Sequence, residues 1–345
     1  MRRLIQARLA RNNEQGAIAV LVALLLIPLI GFAAYAVDVA ALYEERRQLQ
    51  NAADAGALVV AEDCGKEMVP CVLTGPSTEV QHYVDANSKD GTSAVEDVNI
   101  DAATNTATVA VHTRTTSGGS SLTHWFANLI GQPSTTVRAR ASARWNVGVA
   151  TMRAFPLAFC VGEWDRLTDG GTSFPATPYP VIYSSPGTAL SCPLDPNTGP
   201  NSAYPGGFGW LDGDASCQVS ASVGWMPGNT GEALPSNSYG DACITLLRNH
   251  IIAMNNDPTT PPLLIPVFDN YRGTGSNGEL HLAGFGAFRP VGYRFSGTHS
   301  YPDAQVCGPP ATRCIKGWFT RWVTSSAIGD GVVPSFGLTT IQLVK

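Results

Sequence analysis

Charge is scarce in this chain, and catalytic signatures are scarcer. Only 14% of its 345 residues are Asp, Glu, Lys or Arg, and the net charge is −5, so no basic face is available for nucleic acid. No C-x-x-C pair occurs, which removes zinc ribbons and thioredoxin-like redox motifs. The six histidines, His82, His112, His124, His250, His281 and His299, form no H-E-x-x-H motif and no close pair. G-x-S-x-G is also missing, so zinc hydrolysis and serine-elbow chemistry both lack a signature. No cysteine has an activating partner nearby in sequence, and the chain reads as a non-enzyme without cofactor or metal.

One gap in the charge pattern is the most informative. Ala17 to Val37 is 21 residues without a charge. As a helix it extends about 32 Å, close to the hydrocarbon thickness of a bilayer. Pro28 lies mid-span, where membrane helices tolerate a kink. Arg2, Arg3, Arg8 and Arg11 against Glu14 give residues 1–16 a charge of +3, leaving 18 basic and 26 acidic residues, −8, for the rest. The positive-inside tendency keeps that short tail in the cytoplasm and sends everything after Val37 outward. Ala34-Tyr35-Ala36 also fits a signal-peptide cleavage site, the competing reading. Against it, the run exceeds the usual h-region of about 7–15 residues. The helical pattern also continues through Asp38, Val39, Leu42, Tyr43, Leu49, Ala53, Gly56 and Val60 in steps that define one apolar face. Asp38, one residue past the run, is expected at the outer interface, where water reaches it.

From Val37 to Glu62 there is no proline and many good helix formers, so one helix is expected from the bilayer to about residue 62. Ala52, Ala53, Ala55, Gly56 and Ala57 give it a face of small residues that lets another backbone approach, either its own domain or another subunit. Val80–Ala86 reads as a short helix. Val95–Asp101 and Thr106–Thr113 alternate with period two around Asn105 and read as an antiparallel hairpin. Ser120 or Ser121 is placed to cap an amphipathic helix over Leu122–Ile130 that Gly131 stops, and a strand over Thr135–Trp145 follows. The order implies an α+β module whose sheet needs the long helix or a second layer to bury its apolar face.

All eight cysteines, Cys64, Cys71, Cys160, Cys192, Cys217, Cys243, Cys307 and Cys314, follow the apolar run and read as a disulfide framework on the oxidising side. Cys64–Cys71 and Cys307–Cys314 are compatible with local bridges; the six beyond residue 148 allow 15 pairings. There the composition turns to Pro, Gly, Ser and aromatics, implying short strands and long turns. Strands are expected at Ala154–Cys160, Leu263–Phe268, Leu280–Phe288 and Thr339–Val344, and a helix over Cys243–Met254. Gly273 to Gly278 matches G-x-G-x-x-G, but the strand-like run after it makes it a turn rather than a dinucleotide loop. Asp212 and Asp214 read as solvated turn acids rather than calcium ligands. Tyr204–Trp210, Trp225 and Trp318–Trp322 are expected in a core rather than on an aromatic binding surface.

Glu14 to Ala61 resembles the N-terminal segment of the TadG-like proteins of bacterial Flp/Tad pilus-assembly systems. Gly16, the Ala36-Val37-Asp38-Val39 string, Tyr43 and the run Leu49–Leu58 carry the resemblance, which extends to about residue 145. Leu21 stands where processed pseudopilins carry glutamate, and Asp212–Ser216 lacks the D-x-S-x-S pattern of longer relatives, so neither peptidase cleavage after Gly16 nor a metal-dependent adhesion site is implied. The resemblance implies a single-pass cell-membrane protein: tail 1–16, span 17–37, a pilin-like α+β module over 38–147 and a disulfide-bonded β-rich domain over 148–345. Its function is expected to be structural, within pilus assembly or secretion. Its expected partners are the lipid bilayer, other pilus-assembly or pilin-like proteins, and further copies of itself. The alternative is a surface adhesin or ligand-binding protein working through the C-terminal domain.

Overall fold

A computed structural model describes residues 2–66, 78–89, 91, 93–115, 117–182, 208–229, 240–273, 277–296, 299–308, 312–324, 327–329 and 333–344. Cys71, Cys192 and Tyr204 lie outside the described residues.

The helix α1 runs unbroken from Arg2 to Lys66 with Pro28 inside it. Its two halves meet different surroundings. Between Ile18 and Val37 the apolar side chains are bare, and the helix is long and apolar enough to cross a membrane. From Leu49 on, the buried positions are Leu49, Ala52, Ala53, Gly56, Ala57, Val60, Ala61, Cys64 and Gly65, a stripe stepping by three and four.

The helix α2 (Thr78–Ala86) presses Val80 and Val84 toward α1. The strands β1 (Ser93–Asp101) and β2 (Thr106–Thr113) form the expected antiparallel hairpin, with Val98 opposite Val109. Asn105 takes a φ of 51° at its turn, a left-handed conformation that asparagine tolerates.

The expected helix over Leu122–Ile130 is corrected. The strand β3 (Leu122–Thr123) pairs with β4 (Ser134–Thr135), and only Ala127–Ile130 coils, as a 3₁₀ turn. Strand pairing claims the first residues of the stretch, and a distant carboxylate claims the next amides, leaving one turn. Gly131 stops it with a φ of 85°.

The rest is β-rich. The strand β5 (Arg138–Ala154) runs through residue 147, the expected limit between the two outer units. Then come β6 (Leu157–Cys160), α3 (Val161–Thr168), β7 (Tyr179–Ile182), β8 (Phe208–Leu211), β9 (Val219–Ser222), β10 (Gly224–Asn229) and α4 (Gly240–Asn256). The strands β11 (Leu263–Arg272), β12 (Gly278–Arg294), β13 (Ser300–Tyr301), β14 (Cys314–Thr320), β15 (Trp322–Val323), β16 (Ala327–Gly329) and β17 (Leu338–Val344) complete the chain. The G-x-G-x-x-G stretch joins β11 to β12, where Gly273 takes a φ of 76°.

Among the described residues, one sheet has the order β1-β2-β5-β17-β15, with β9 and β16 also on β5. It covers the buried stripe of α1. The other has the order β10-β8-β6-β11-β12-β14-β7, and β10 also pairs with β12, closing five strands into a ring. Phe268, Phe285, Leu280 and Leu282 fill the space on one side of this second sheet with Met152, Ala221 and Leu338 of the first. On the other side Phe159, Phe208, Trp210, Phe288 and Phe319 pack with Ile244, Leu247 and Ile251 of α4. The overall class is α+β, as expected, but the last strand returns to the sheet that α1 supports.

Cys217 pairs with Cys243 and Cys307 with Cys314. Cys64 and Cys160 are also disulfide-bonded. The Cys217–Cys243 bridge closes 26 residues and fastens α4 to the loop before β9; the Cys307–Cys314 bridge closes 7. Loop-closure entropy puts the cost of replacing Cys217 and Cys243 together by serine at about 3–4 kcal/mol, against about 2–2.5 for Cys307 and Cys314. Denaturant midpoints of the two double variants should fall in that order.

Candidate functional site

The residue types expected to carry function divide sharply by location. Ala52 and Ala53 are fully buried. A Cβ on Gly56 would come within 3.1 Å of Val109 Cγ1 and Val84 Cγ2, so this small-residue face lies against the chain's own β2 and α2. Phe208, Trp210 and Phe319 are core residues. Trp225 is half-exposed, with the Arg272 guanidinium 4.3 Å above its ring.

The histidines are not brought together. His250 Nε2 lies 3.0 Å from the Pro261 carbonyl, His281 Nδ1 lies 2.6 Å from Asp269 Oδ1, and His299 Nε2 lies 3.4 Å from Asp241 Oδ1. No group of three His, Cys, Asp or Glu able to hold a metal occurs among the described residues. Asp214 accepts hydrogen bonds from the amides of Ser216 and Gln218 on Oδ1 and pairs through Oδ2 with Arg153 of β5 at 2.6 Å, which engages one oxygen in the turn and the other on the neighbouring strand. A cavity of about 150 Å³ lies where Gly65, at the end of α1, meets Trp164, Phe174, Arg321 and Thr339. Desolvation holds the Arg321 guanidinium below its usual range, and it lies 5.2 Å from the Phe174 ring centre.

The arrangement that stands out is at Asp38. It is 5% exposed, not open to water as expected at the end of the apolar run. Its Oδ1 accepts from the Trp125 amide at 2.9 Å, its Oδ2 from the Ala127 amide at 2.6 Å, and the Phe126 amide donates to both oxygens at 3.4 and 3.1 Å. The 3₁₀ turn has no cap from its own flanking side chain, so Asp38 supplies the missing acceptor from 87 residues away. The serine cap expected at Ser120 or Ser121 is replaced by this long-range one. Beside it, His124 Nε2 lies 2.8 Å from Thr135 Oγ1, tying the base of the loop.

Desolvation pushes the Asp38 carboxyl up, but the amides of Ala127, Trp125 and Phe126, with His124 nearby, outweigh it and hold the group below its ordinary value. The folded value therefore lies below the unfolded one, about 3.9. The contribution is present above the unfolded pKa and is lost as pH falls through the folded one. At neutral pH, Asp38→Ala should speed hydrogen exchange at the amides of residues 125–127 while leaving the β2 and β5 amides unchanged. Unaltered exchange at 125–127 would show that the carboxylate does not hold the turn.

The fold is thus that of an α+β protein carried on a long N-terminal helix, with the clamp at the foot of its folded mass. Residues 16–63 match the family model for TadE/G-like Flp pilus-assembly proteins, which supports a role in Flp pilus assembly. No curated protein and no solved structure matches the chain.

Proposed function

We propose that this protein is a membrane-anchored structural component of a Tad/Flp-type pilus-assembly or secretion apparatus. Residues 1–16 stay in the cytoplasm, residues 17–37 span the cell membrane once, and the remainder works outside against other pilus-assembly or pilin-like proteins. The observation that carries this reading is the coincidence of the matched segment, 16–63, with a single helix of two characters, bare and apolar below Asp38 and covered by its own sheet above Leu49. A rigid rod of that kind transmits position from the bilayer to the folded mass without a flexible joint. Its task is mechanical and needs no reacting group.

Two measurements test it. Deletion of the coding sequence should abolish or sharply reduce piliation, with recovery on return of the full chain; unchanged piliation sinks the assembly role. A thiol introduced at exposed Ser220 should react with a membrane-impermeant maleimide on intact cells, whereas one introduced at Gln6 should react only after lysis. The opposite pattern sinks the orientation.

A further inference from the structure

From Thr115 to Val137 the chain has 23 residues without Asp, Glu, Lys or Arg. At the tip of this stretch, Trp125 is 80% exposed, Leu129 85% and Phe126 41%. Such a cluster is costly in water unless something apolar receives it.

Its position and its hydrogen bonds indicate the receiver. Asp38 holds the amides of 125–127 within 3.4 Å, one residue past the end of the apolar run. Ile18 to Val37 spans about 30 Å as a helix, so position 38 sits where hydrocarbon gives way to headgroups. Trp favours that depth, where its aromatic body meets lipid and its N–H stays wet, and Phe126 and Leu129 add apolar surface beside it. Backbone entering an interface must also satisfy its own donors. Here the His124 amide donates to the Pro133 carbonyl and those of 125–127 to Asp38. The Leu129 amide donates to Phe126, that of Gly131 to Asn128 and that of Gln132 to Ala127.

We infer that the Trp125–Leu129 turn is a second membrane contact. It is an uncharged wedge seated in the outer headgroup layer of the bilayer that α1 crosses, with Asp38 fixing its height. The contact rests on the membrane-spanning reading of α1. With it the folded mass is attached at both the helix and the turn, which fixes its tilt and rotation relative to the membrane, as one helix alone does not.

The test uses the full chain in vesicles of phosphatidylcholine and phosphatidylglycerol, with one added cysteine spin-labelled at Leu129, Leu25 or Ser220; the described native cysteines are all disulfide-bonded. The expected result is that the Leu25 label collides mainly with lipid-soluble oxygen and the Ser220 label mainly with a water-soluble nickel chelate. The Leu129 label should fall between them, with an oxygen-to-nickel ratio severalfold above that at Ser220. Adding Asp38→Ala should move the Leu129 label toward the Ser220 value. If Leu25 reports lipid while Leu129 matches Ser220, the wedge is refuted and the anchor stands. If Leu129 is shielded from both reagents, the patch is covered by protein and the lipid assignment is wrong. If Leu25 itself reports water, the spanning reading fails and takes the wedge with it.

Discussion

Replacing Phe159 with alanine is expected to collapse the ring-closed sheet. Phe159 is fully buried on β6, the strand between β8 and β11. Its ring centre lies 4.7 Å from that of Phe288, 5.5 Å from Phe319 and 6.4 Å from Phe208, so it contacts three other strands at once. Truncating a buried phenylalanine costs about 3–5 kcal/mol, because lost transfer energy adds to a cavity that well-packed neighbours cannot close. Against a total stability of about 5–15 kcal/mol, that is a large share. Denaturant unfolding should show it as a large fall in midpoint. Leu343→Ala, at a residue 45% exposed at the end of β17, should shift the midpoint little. A loss at Phe159 below about 1 kcal/mol, the range of ordinary surface changes, would mean the aromatic cluster is not the keystone of this sheet.

Where the local pattern decides structure, the sequence already contains the answer. The 3.6-residue stripe from Leu49 to Cys64 reads directly as one buried helix face, and the alternation through Val98 and Val109 reads as a half-buried hairpin. The helix expected over Cys243–Met254 is the centre of α4, and the expected strands at 263–268 and 280–288 are the starts or middles of longer ones. What was illegible depends on distant partners. Leu122–Ile130 carries a helical pattern, yet β4 and Asp38 compete for its backbone groups. Short strands such as β8, only four residues and all buried, have no alternation to betray them. The composition changes near 147 while β5 runs through that point and β17 returns to pair with it, a pairing no local pattern announces. For the clamp, only half the signal was local: an acid beside an apolar run and an uncharged Trp-Phe stretch are each visible, but nothing in sequence joins positions 38 and 125.

Two arginines in the apolar run, Leu25→Arg with Ile27→Arg, should separate where the protein resides from whether it folds. Both side chains are bare in the structure, 55% and 72% exposed, and no described element covers them. An arginine at the centre of a spanning helix costs about 2.5–3.5 kcal/mol on the insertion scale, so two shift the membrane-bound fraction by several powers of ten. The thermal transition of the α+β mass should stay where it is. Ala53→Arg, in the buried stripe under β2 and β5, should do the reverse: retention in the membrane fraction with the fold lost, because an arginine cannot fit where the sheet touches the helix backbone and its charge would have no water. On the proposed anchor, one helix has two solvents, lipid below Asp38 and protein above Leu49, and the opposed outcomes follow. Were the double arginine variant to remain membrane-bound while losing its thermal transition, the apolar run would be packing against protein, and the rod would have to be read as a core helix instead of an anchor.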